Sequence, residues 1–217
     1  MKINWKYALG EIIIVIIGIS LAFLLNNWGE SLKERKVKQL YLESLKSDIE
    51  VEMNHLSENQ KAINIKLGQI RQLMPHMGRA LPGRDSMGKK LFQIANSISF
   101  KPETNTYQTL VNSGDLKLID KFELRRQIEQ HYNQHQEIQN SYKRLEHIHS
   151  SYLADFFVYE LDYGKLRQGN NDFLDKPLLS NILSSIMGAY MIALDANQSC
   201  MNSNERLLKT INSELSS

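Results

Sequence analysis

The sequence has little cysteine, proline or glycine, and neither charge sign is in excess. A single cysteine, Cys200, in 217 residues excludes an intramolecular disulfide, so packing, a membrane or partner chains must hold the fold. Four prolines and 11 glycines leave long stretches without a breaker, and the many Leu, Ile, Gln, Lys and Glu residues favour helix over sheet. Lys and Arg number 26 against 24 Asp and Glu. That balance lacks the concentrated basic face that nucleic acid calls for, and no nucleic-acid partner is expected. The sequence also lacks a phosphate loop, a GxSxG elbow, a dinucleotide fingerprint and an HExxH pair. Internal repeats and low-complexity tracts are missing too. No catalytic residue, cofactor or metal is assigned from the sequence, and a non-enzymatic protein is expected.

One long hydrophobic run is present. Ile12 to Leu25 reads IIIVIIGISLAFLL without a charge, and extension back to Ala8 adds only Glu11 as an ionisable group. Eighteen helical residues rise roughly 27 Å, close to a bilayer core of about 30 Å. Trp5 and Tyr7 at one end and Trp28 at the other suit the two interfaces. The following NNWGES has no A-x-A cleavage pattern, so an uncleaved signal anchor over residues 1–30 is expected, followed by a soluble domain over 31–217. Glu11, Gly18, Ala22 and Asn26 fall within one arc of roughly 80° at 100° per residue. Gly18 and Ala22 form a small-xxx-small pair that admits a close neighbour helix. This face is the candidate contact surface, toward a second copy or another membrane protein. The alternative is that Glu11, a turn from the interface, snorkels to it.

Orientation is argued both ways. Lys2 and Lys6 precede the run, and Lys33, Arg35, Lys36 and Lys38 follow it, which favours a cytoplasmic C-terminal side. A short N-tail before an apolar run has the opposite layout. The expectation adopted is the inner (cytoplasmic) membrane with the C-terminal domain in the periplasm.

Beyond the run, Leu42, Leu45, Ile49, Met53, Leu56, Ile63, Leu67, Ile70 and Met74 recur at helical spacing to Pro75. A helix of about forty residues, continuous with the anchor, is predicted. Short helices are predicted over 87–98, behind an Asp85-Ser86 cap, and around Tyr107, Leu110 and Val111, stopped by Ser113-Gly114. Asp120 is expected to cap a second long helix from Lys121 to Tyr163, burying Leu124, Ile128, Ile138, Tyr142, Leu145, Tyr152 and Phe156. Asp175-Lys176-Pro177 starts a third, carrying Leu179, Ile182, Ile186, Tyr190, Leu194, Leu207 and Ile211. The class is all-α: an antiparallel bundle of three long helices with short connecting ones.

Three candidate sites in the soluble part read as structural. His131 and His135 are four apart on one helix face and could share a metal, but without a local carboxylate partner set they read as core-edge histidines. Glu123, Arg125, Arg126 and Glu129 read as a solvent face with an Arg126–Glu129 pair. Cys200, without a basic neighbour, reads as a buried bystander thiol.

Two stretches, KYALGEIIIVIIGISLAFLLNNWGE (6–30) and TYQTLVNSGDLKLIDKFELRRQIEQHY (106–132), are similar to the DUF6090 family of uncharacterised single-pass membrane proteins from Bacteroidetes. Gly10-Glu11, Asn26-Asn27-Trp28 and Ser113-Gly114 match its recurring residues. The resemblance implies an N-terminal anchor and a helical domain, and no activity. The function expected is that of a scaffold or accessory subunit, as a homo-oligomer or with another membrane protein. The alternative is a membrane-tethered helical sensor that needs a separate signalling partner.

Overall fold

The structure, a computed structural model, describes residues 5–216, and among them there is no strand. Helix α1 runs unbroken over Trp5–Leu73, so the apolar segment and the stalk are one helix. Short helices α2 (Met87–Ile94) and α3 (Asn105–Ser113) pack on α1. Helix α4 (Phe122–Ile148) continues through two π turns, His149–Leu153 and Phe156–Glu160. After the single-turn α5 (Tyr163–Arg167), α6 (Pro177–Leu215) returns between α4 and α1. Every residue from Glu11 to Glu30 is exposed, and full burial on α1 begins at Leu42. The side chains of Trp5 and Tyr7 lie outside the described residues, while Trp28 is exposed.

Two apolar clusters form the core. The larger joins Leu56, Ile63, Leu67 and Ile70 of α1 to α2, to Ile138, Tyr142 and Leu145 of α4, and to α6 from Leu179 to Cys200. The smaller, nearer the apolar end of α1, joins Leu42, Leu45 and Ile49 to Leu124, Ile128, Leu207 and Ile211. Gly114 ends α3 at φ 74, a left-handed conformation that glycine adopts without a Cβ penalty. It turns the chain so that Ile119 is fully buried in the smaller cluster.

Several local expectations are corrected. Asp120 does not cap α4 through its first-turn amides. Its carboxylate takes the adjacent Lys121 N–H and the Lys38 ammonium, and the cap position falls to Lys121. Asp85-Ser86 forms a 3-10 turn with no side-chain cap, and α2 ends at Ile94. The start of α6 at Lys176 and Pro177 is as expected, and the adjacent Asp175 pairs with Arg84 at 2.7 Å. Arg126 reaches back to Glu123 at 2.6 Å rather than forward to Glu129. Tyr152 is 52% exposed because the π turn adds a residue and rotates it off the buried stripe.

Candidate functional site

Two places concentrate the polar residues that need an explanation. The first is the exposed apolar part of α1. Its most apolar 18-residue window has a mean hydropathy of 2.4 and no buried residue, so it is long and apolar enough to cross a membrane. Helix α6 also carries a stretch long and apolar enough to cross a membrane, but it is partly buried in the bundle, where it packs on α4 and α1. Glu11, Gly18, Ala22 and Asn26 are all exposed. A Cβ added at Gly18 would meet nothing within 4 Å. The chain's own packing therefore does not require the glycine, and the space beside it is open to another helix.

The second place lies between the two apolar clusters. On α1 the buried stripe runs Leu45, Ile49, Glu52, Leu56 at spacings of four, three and four, so a carboxylate stands at a core position. On α4, His131 and His135 point inward at the same level, and on α6 so do Cys200 and Asn204. Glu52 and His131 are each 1% exposed and His135 is 4%. The histidines are thus inside the core rather than at its edge. Glu52 Oε1 accepts from Asn204 Nδ2 at 3.1 Å and from the Cys200 thiol at 3.5 Å. His131 Nε2 stands 3.8 Å from Glu52 Oε1, and His135 Nε2 stands 2.9 Å from Glu52 Oε2. That last approach is out of line with the ring N–H, so neither Glu52 Oε2 nor His135 Nε2 has a hydrogen-bond partner.

The electrostatics follow from burial and proximity. Burial works against charge on Glu52, but the close His135 ring, His131 and the Asn204 amide outweigh it and hold the carboxyl below its usual range. Burial pushes His131 down to about 4, partly offset by the Glu52 charge, so His131 is a neutral imidazole at pH 7. Burial, with the Glu52 carboxylate beside it, pushes the Cys200 thiol up, which agrees with an inert buried thiol. Tyr132 closes the site. Its ring meets His131 and His135 edge-on at 4.7 and 5.0 Å and stacks on Tyr107 at 4.1 Å. Donor atoms of Glu52, His131 and His135 all lie within 4.8 Å of one another, so these three residues could hold a metal ion.

Sequence reasoning found the histidine pair and missed Glu52, which is 79 residues upstream of His131. A charged residue at stripe spacing between Ile49 and Leu56 was the available signal, masked by Met53 beside it, which fits the same stripe and is only half-buried.

No curated protein and no solved structure matches the chain. A family model does match, over residues 11–162, from Glu11 through Glu52, His131 and His135 to the end of the π turns. The match covers more than half of the sequence, and the chain belongs to DUF6090, a family of unknown function.

Proposed function

We propose that the chain is a non-enzymatic, single-pass membrane protein acting through protein–protein contacts, as a scaffold or accessory subunit. Its anchor lies in the inner membrane and its helical domain projects into the periplasm. The observation that carries this reading is the exposed apolar stretch of α1, with Glu11, Gly18, Ala22 and Asn26 on one face and none of the described residues covering them. A carboxyl and an amide at the margins of a hydrocarbon layer are stabilised when a neighbouring helix supplies partners, and the small residues between them permit the approach.

Disulfide crosslinking in native membranes tests it, in a Cys200→Ser background. Ala22→Cys lies on the proposed face and Leu24→Cys on the opposite one. Ala22→Cys is expected to crosslink to a second copy or to another membrane protein, and Leu24→Cys is not. Equal crosslinking from both faces, or monomer alone with neither, counts against the contact face. In the same cells a tag at Ser217 is expected to be cut by protease added to spheroplasts. Protection of the tag would reverse the orientation.

A further inference from the structure

We propose that Glu52, His131 and His135 form a binding site for one divalent first-row transition-metal ion, with Zn2+ the best fit, that ties α1 to α4 inside the bundle. The inference is independent of the membrane-contact reading.

Four observations support it. The first is the donor set. Two imidazoles four residues apart on one helix face, with a carboxylate from a second element, make a His2Glu set that suits zinc-class ions. Calcium and magnesium prefer all-oxygen sites, so two nitrogen donors select against them. The second is the spacing. Ligands at about 2.0–2.1 Å from a tetrahedral ion stand roughly 3.3 Å from one another. His135 Nε2 is 2.9 Å from Glu52 Oε2, and one donor atom from each of the three residues lies within 4.8 Å of the others, so side-chain adjustment without a backbone shift closes the set around an ion.

The third is the unused bonding capacity. Glu52 Oε2 and His135 Nε2 are fully buried, face each other and hydrogen-bond to nothing. Atoms left in that state inside an apolar core carry a desolvation cost that a shared cation removes. The fourth is the support behind the ligands. Asn204 and Cys200 of α6 hold Glu52 Oε1, which leaves Oε2 turned to the histidines. Ligating carboxylates are commonly held in this way. Cys200 itself is outside the group of mutually close donor atoms. A surface groove between α4 and α6, lined by Gln134, Ile138, Ser141, Asp195 and Cys200, ends at the Cys200 thiol, one side chain short of Glu52.

The test uses the full chain in detergent, without a polyhistidine tag, stripped with a chelator and then supplied with Zn2+ or Co2+. One equivalent of zinc is expected to remain bound after dialysis. Cobalt is expected to give visible d–d bands of low coordination number and no thiolate-to-cobalt charge-transfer band. At a hundredfold excess over Kd, zinc is expected to raise Tm by roughly 5–10 °C. His131→Ala and Glu52→Gln are each expected to weaken binding by roughly a hundredfold or more. His55→Ala, at an exposed position on α1, is expected to change nothing. The wild-type cobalt spectrum needs no variant to fold. No d–d bands and no retained zinc in the wild type would falsify the site. Undiminished binding in both ligand variants places the metal elsewhere and overturns it too. A charge-transfer band that disappears in Cys200→Ser would overturn the three-residue ligand set.

Discussion

The two halves of the bundle core are built from the same three long helices, yet they are completed differently. The larger half gains α2, the π turns and the loop before α6, and it buries aromatic residues such as Tyr142, Phe156, Phe173 and Tyr190. The smaller half has α3 and a narrow end, and it is closed by charges. Lys38 bridges Asp120 and Glu214 at 2.6 Å each, and Lys121 adds a contact to Glu214 at 2.5 Å. Between the halves lies the layer of Glu52, His131, His135 and Asn204, where apolar side chains would have made one continuous core. The bundle thus gives up apolar burial at one level. A buried polar layer of this kind fixes the register of helices that leucines alone would let slide.

The largest effect is expected where that layer is broken on one side only. Glu52→Ala leaves two buried imidazoles and the Asn204 amide facing a cavity, and its cost in chelator should be about 3–5 kcal/mol by urea unfolding. Replacing all four of Glu52, His131, His135 and Asn204 by Leu joins the two clusters without leaving the Asn204 amide unpartnered, and should be neutral or stabilising by about 1–4 kcal/mol. If the quadruple variant is as damaged as the single one, the layer is held by shape rather than by charge, and the contrast between the halves loses its basis.

The architecture of the bundle was legible because it rests on period. Long runs of Leu and Ile at spacings of three and four, uninterrupted by proline from Trp5 to Leu73, leave little alternative to one continuous helix. Ser113-Gly114 was equally legible, because a left-handed residue after a helix selects glycine. The polar layer was not. Its members come from three helices whose relative register follows from tertiary packing, and no local spacing links Glu52 to His135. Arg126 and Asp120 were misjudged for a related reason. Each had two partners within reach, and the choice depended on where Lys38 and the start of α4 settled in space. The π turns left no recognisable mark in the sequence, and they displaced Tyr152.

A second effect, confined to the larger half, comes from His149. Its Nδ1–H donates to the Ala95 carbonyl at 3.2 Å, and its Nε2 accepts from the Tyr190 hydroxyl at 3.4 Å. Burial lowers its pKa. The Ala95 contact opposes this and the Lys66 charge adds to it. A proton on Nε2 would remove the Tyr190 bond and charge the core. Above the unfolded value of about 6.5 both states are neutral and the contribution is complete. As pH falls below about 6.5 the unfolded chain takes up the proton first, so stability declines. His131 titrates with the same sign, so the comparison needs a variant. In chelator, the loss of stability between pH 7.5 and 5.5 should be smaller for His149→Gln than for wild type. Parallel curves would mean that His149 contributes nothing to the acid limb.

The smallest effect sharpens the contrast at the narrow end. The Lys38 side chain is 18% exposed and that of Glu214 8%, whereas Lys176 and Glu160, a pair of similar length in the larger half, are 38% and 42% exposed. Ion pairs gain strength as water is excluded, and exposed ones contribute about 0–1 kcal/mol. Lys38 also serves two carboxylates at once, and both Asp120 and Glu214 have their pKa values lowered, with hydrogen bonds from Lys38 and Lys121 among the causes. Lys38→Met should therefore cost about 1–2 kcal/mol, and Lys176→Met less than about 0.5 kcal/mol. The Lys38 penalty should shrink at high salt, but less than in proportion to a fully exposed pair. It should also fall away in acid, as pH drops through the lowered pKa values of Asp120 and Glu214 and the pair is lost. Equal costs for the two substitutions would show that the smaller half is held by its apolar contacts alone, and that the charges at its end only decorate it.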